Sequence, residues 1–94
     1  MRGLRRFRDK LKEDLKNPEF KKAFDEEETY ASLAIQTAKI RQKKGWAQRE
    51  LAKRLHTTQQ TVSRLEDIHN RSYSLGTLIK LARALNKHLK VEFV

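Results

Sequence analysis

The stretch from Gln48 to Asp67, QRELAKRLHTTQQTVSRLED, constrains the fold of this chain more than any other. It reads as two short helices joined by a tight turn. Leu51, Leu55, Val62 and Leu65 fall where they point into a shared core, and Ala52 falls where the two helices approach most closely. The positions left outside on the second helix are Thr58, Gln59, Gln60, Ser63 and Arg64, all with side chains that hydrogen-bond. The segment is therefore a polar reading face on an apolar support.

A chain of 94 residues, 37% apolar and 36% charged, holds one small domain and an appendage, with a core thin enough that self-association would help it bury surface. It has no cysteine, which excludes a disulfide framework and a zinc–thiolate site. The longest apolar runs are a few residues, too short to cross a membrane. The basic start, Met1 to Arg8, lacks the apolar run of a secretory signal, so a cytoplasmic protein is expected. The net charge of +10 is unevenly spread. Residues 1–28 carry 9 Lys/Arg against 8 Asp/Glu, and residues 29–94 carry 13 against 4. A basic domain joined to a balanced arm suggests one polyanionic partner and one of another kind.

Three units follow along the chain: an arm (1–28), a helical domain (29–86) and a tail (87–94). In the arm, Leu4, Phe7, Leu11 and Leu15 recur at helical spacing. Asn17-Pro18 ends that helix and caps a short second one, which carries Phe20 and Phe24 into the acids Asp25 to Glu28. A third helix is expected from about Thr29 to Lys44, with Tyr30, Leu33, Ala34, Thr37, Ala38 and Arg41 recurring. Gly45 ends it, and Trp46 is a core anchor. After a polar loop, His69 to Tyr73, Ser74 caps a helix whose buried stripe is Leu75, Leu78, Leu81, Ala82 and Leu85. Asn86 takes a left-handed conformation at its end. In the tail, Leu89, Val91 and Phe93 alternate with His88, Lys90 and Glu92, as in a half-buried strand. A lone strand leaves its backbone unpaired, so a symmetric pairing between two copies is expected; a frayed terminus is the alternative.

A DNA reader needs groups that donate and accept at base edges, and phosphate contacts that set its register. Thr58, Gln59, Gln60, Ser63 and Arg64 fit the first requirement, Gln pairing with adenine and Arg with guanine. Gln48, Arg49, Thr57, Thr61, Asn70, Arg71 and Ser72 fit the second. A merely solvated face is usually rich in Glu and Lys, whereas TTQQTVSR has no acid before Glu66. An enzyme is poorly supported. His56, His69 and His88 are too scattered for a metal cluster, no nucleophile and base form a set, and no cofactor is implied.

From about Tyr30 to Leu85 the chain resembles the XRE/Cro helix-turn-helix family, known from lambdoid phage repressors. QRELA (48–52), TTQQTVSRLE (57–66) and SLGTLIKLARAL (74–85) carry the likeness. It implies an all-α, lambda-repressor-like bundle in which Gln48, Gln59, Gln60 and Arg64 contact operator DNA. His56 stands where the family has a turn glycine, and Ala47 where it has a capping Thr or Ser. With LKNPEF (15–20) and LKVEFV (89–94) included, the whole resembles HigA-type antitoxins, which are dimeric, neutralise a RelE/HigB-like mRNA endonuclease and repress their own operon. On that likeness Leu4, Phe7, Leu11, Leu15, Phe20 and Phe24 would meet the toxin, while Leu89, Val91 and Phe93 would form the homodimer. A stand-alone phage-like repressor without a toxin is the alternative. The arm can equally be extra helices covering its own domain.

Overall fold

Asn17 and Pro18 begin the first helix of the computed structural model, which describes residues 16–94. Asn17 is extended, and its Oδ1 accepts from the N–H of Glu19 at 3.0 Å and of Phe20 at 3.5 Å; Pro18, with no N–H to lose, is the first helical residue. Leu4, Phe7, Leu11 and Leu15 lie outside the described residues.

Helix α1 (Pro18–Lys43) runs for 26 residues, about 39 Å at the usual rise. It replaces the two helices expected on either side of Glu28. Nothing between Phe24 and Thr29 breaks a helix, and the Thr29 hydroxyl donates back to the Asp25 carbonyl at 3.0 Å instead of capping a new one. Its carboxyl-terminal half packs inward through Ala34, Thr37 and Arg41, all buried. Its amino-terminal half, as far as Leu33, has no buried residue.

Helices α2 (Gln48–Arg54) and α3 (Gln59–Leu65) follow, each of seven residues, and α4 (Leu75–Ala84) adds ten. Three of the four helices among the described residues end alike. Gly45 (φ 74), His56 (φ 56) and Asn86 (φ 54) are left-handed. Each donates its N–H to the carbonyl three residues back, and the following residue donates to the carbonyl five back, as in Trp46 to Arg41 (3.2 Å), Thr57 to Ala52 (2.9 Å) and Lys87 to Ala82 (2.8 Å). His56 thus performs the turn in place of a glycine, in a conformation that a side chain disfavours.

The core is Leu51, Ala52, Val62, Leu65, Leu81 and Leu85, with Ile40, Trp46, Leu55, Tyr73 and Ala84 packed around it. Leu51 and Val62 are its largest fully buried side chains. Two expectations are corrected here. Leu75, assigned to the buried stripe of α4, is 60% exposed, because it opens the helix beyond the cover of its neighbours. The tail forms no strand among the described residues: Leu89 is half-buried, but Val91 and Phe93 stand in solvent. A strand needs a partner for its backbone, and a single copy offers none. No described helix is long and apolar enough to cross a membrane.

Ala47 already has cap geometry (φ −72, ψ 162) but no side chain that reaches the first turn of α2. Ala47→Ser is therefore expected to stabilise the domain by about 1 kcal/mol. That should raise the thermal midpoint by about 4–8 °C; an unmoved midpoint would show that the cap is already satisfied by water.

Candidate nucleic-acid interface

Close packing of Leu51 and Ala52 on Val62 holds α2 and α3 together, and the His56 turn sets the direction in which α3 leaves. Thr58 caps α3. Its Oγ1 accepts from the Thr61 N–H at 3.2 Å and lies 3.0 Å from the Thr61 hydroxyl. Thr58 is thus partly committed to the helix itself, and Thr61 is half-buried beside it. Gln59, Gln60, Ser63 and Arg64 are exposed, and among the described residues their side chains make no hydrogen bond or ion pair. Of the expected base-reading set, Gln59, Gln60, Ser63 and Arg64 therefore lie on one helix with their polar groups uncommitted, and Thr58 caps it. Arg49 and Thr57 are exposed beside it.

Behind this face lies a polar network. Arg41, on α1, meets Glu66, just past α3, through Nε–Oε2 at 2.6 Å and a second guanidinium nitrogen to Oε1 at 2.9 Å. Its remaining nitrogen donates to the Trp46 carbonyl at 2.6 Å. The Gln48 amide donates to the same Glu66 oxygen at 3.3 Å. Both charged side chains are nearly dry, at 11% and 6% exposure. Gln48, expected to present its side chain to phosphate, instead holds Glu66, leaving its backbone N–H at the start of α2. Trp46 is flanked outside by cations, with the Arg54 guanidinium 3.9 Å and the Lys44 ammonium 5.2 Å from its ring centre.

The loop after α3 is pinned from two sides. Asn70, expected on phosphate, is buried; its Oδ1 accepts from the Ser72 N–H at 3.1 Å, so it shapes the loop from within. Its Nδ2 is buried beside the Tyr73 phenol without a bond of acceptable geometry. The Tyr73 hydroxyl donates to the Leu65 carbonyl at the end of α3. Burial pushes the Tyr73 pKa up, against a smaller opposing effect of the Asn70 amide, so the phenol stays a donor at neutral pH. The Tyr73 ring stacks on Tyr30 of α1, centres 6.4 Å apart. Ser72 and Arg71 are exposed, and Arg71 is paired with Glu27.

A separate hollow of about 600 Å³ is lined by Arg54, Leu55, His56, Lys80, Arg83 and Ala84. Arg54 and Arg83 occupy the last turns of α2 and α4, where cations answer the helix dipoles and need no ligand.

Residues 38–91, more than half of the chain, match the sequence profile described as Helix-turn-helix. The chain belongs to the helix-turn-helix family. The domain is of the XRE/Cro type, and membership implies DNA binding. No curated protein and no solved structure matches the chain. The profile begins within the packed half of α1, so the exposed half lies outside the helix-turn-helix match.

Among the contacts that escaped the sequence reading are Arg41–Glu66, Glu27–Arg71 and Tyr30–Tyr73. The first had a signal, since Arg41 recurs with the apolar residues of α1, and a charge on that stripe needs a buried partner. Glu66→Ala would strand the Arg41 charge, and is expected to destabilise the domain by about 3–5 kcal/mol in denaturant melts. Replacing both residues with Met should recover most of that loss; equal losses in the single and double variants would refute a coupled pair.

Proposed function

We propose that this protein is a sequence-specific operator-binding repressor that acts as a homodimer. The observation that carries the reading is the uncommitted face of α3: Gln59, Gln60, Ser63 and Arg64, exposed together on a helix backed by a rigid network. In this reading those residues and Thr58 contact base edges. Arg49, Thr57, Thr61, Arg71, Ser72 and the backbone N–H of Gln48 contact phosphate, while Asn70 shapes the loop. Selecting the bound site from random duplexes would give the operator. Against it, Arg64→Ala is expected to weaken binding by about 1–3 kcal/mol and relax preference at one base pair. Unchanged discrimination at every position would reject the assigned role.

Dimerisation is supported by an apolar strip left open on α4 and the tail: Leu75, Ile79, Val91 and Phe93 are all at least 38% exposed. Leu75, Ile79, Leu89 and Val91 line one shallow groove of about 520 Å³. Two copies would set two α3 helices about 34 Å apart on a palindromic site. Removing Leu89 to Val94 should shift the protein toward monomer in sedimentation, and an unaltered profile would exclude the tail from the interface.

The finer reading is an antitoxin resembling the HigA type, whose arm docks a basic, RelE/HigB-like partner. Its support is the exposed half of α1, where Phe20 and Phe24 stack with ring centres 6.4 Å apart next to the acids Asp25 to Glu28. Such a surface suits a cationic protein with an apolar recess. Co-expression with the adjacent reading frame tests it. Co-purification of a small basic protein supports the antitoxin, and its absence leaves the stand-alone repressor.

A further inference from the structure

We infer that Glu27 acts as an internal stand-in for DNA phosphate, holding Arg71 in the free protein so that the operator must displace it. The inference rests on the DNA-binding reading and adds to it a self-competing contact made by a part of the chain outside the helix-turn-helix match.

Arg71 lies between two fixed points of its loop. On one side Asn70 is buried with its carbonyl oxygen bound to the Ser72 N–H; on the other Tyr73 is tied to the Leu65 carbonyl and stacked on Tyr30. The loop backbone is therefore set, and the freedom left to Arg71 is that of its side chain. That side chain pairs with Glu27, and its guanidinium lies 6.0 Å from the centre of the Tyr30 ring, one turn further along α1. Glu27 and Tyr30 are three residues apart, so one face of α1 supplies both an anion and an aromatic ring to the same guanidinium. A carboxylate and a phosphate present matching pairs of oxygens to an arginine, so the two sites are chemical rivals for one side chain.

The pair is solvent-exposed, with Arg71 at 55% and Glu27 at 49%, which keeps it weak enough for DNA to exchange. Asp25, Glu26 and Glu28 point around α1 at about 100° per residue, so once Arg71 has left it is chiefly the Glu27 carboxylate, unpaired among the described residues, that faces the duplex. Both effects lower the affinity of the free protein and flatten its salt dependence. Phosphate contact releases a cation from DNA, whereas the vacated Glu27 takes one up.

The test is a double-mutant cycle on the full chain, reading operator affinity by fluorescence anisotropy over a range of salt. Glu27→Gln is expected to tighten binding about two- to five-fold, the size of an exposed ion pair. It should also steepen the log K against log salt slope by up to about one. Arg71→Ala should weaken binding and flatten the slope, and Glu27→Gln added to Arg71→Ala should bring only the smaller gain of removing one unpaired negative charge. An equal gain from Glu27→Gln with and without Arg71 would overturn the inference, since Glu27 would then act only as a general negative charge. No gain with Arg71 present would also overturn it. Failure of the unaltered protein to bind any selected duplex would instead sink the DNA-binding reading, and this inference with it. Thermal melts of each variant are expected to show an unchanged midpoint, since both side chains are about half exposed.

Discussion

The relation between α3 and the rest of the molecule depends on one ion pair. Arg41 comes from α1 and Glu66 from the end of α3, so their fork-to-fork contact ties together two elements that are distant in sequence. The third bond of Arg41 reaches the Trp46 carbonyl in the connection before α2, and Gln48 on α2 completes the shell around Glu66. Drying two charges is costly, and the pair holds because nearly every polar atom in it has a partner. What it contributes is register. An apolar contact at this point would tolerate sliding, whereas a bidentate guanidinium–carboxylate pair fixes both distance and angle.

That geometric control matters because the apolar core is small. Few of its side chains are fully buried, and α2 and α3 are too short to persist alone. Their ends are therefore held by local hydrogen bonds: the left-handed closures at Gly45, His56 and Asn86, and the caps at Thr58 and Ser74. The polar loop after α3 follows the same logic, with Asn70 and Tyr73 turned inward to hold it against α1.

Much of this was legible in the residues. The caps Asn17 and Ser74 and the left-handed positions Gly45 and Asn86 follow from local chemistry, and each is seen. The core of Leu51, Ala52, Val62, Leu65, Leu81 and Leu85 follows from spacing. What could not be read depended on partners far along the chain. The fate of the Gln48 amide is decided by Glu66, the orientation of Asn70 by its loop, and the pairing of Arg71 by Glu27. The junction near Glu28 was misread because a cluster of acids resembles the start of a new helix, yet an acid run by itself gives a helix no reason to stop. The tail was misread because alternation describes what a segment can pair with, and pairing needs a second strand.

The unbroken course of α1 has a geometric consequence. Because a helix turns about 100° per residue, the side chains at its free end hold a set azimuth relative to those at its packed end. A body seated on Phe20 and Phe24 would therefore be clocked, as well as tethered, with respect to the DNA axis. One residue inserted into the exposed half would lengthen the rod by only about 1.5 Å, yet would swing the acids and both rings a quarter-turn or more around it. In this arm, then, rotational phase is a stricter constraint on sequence change than reach, and lengthening by whole turns is the change it would tolerate best.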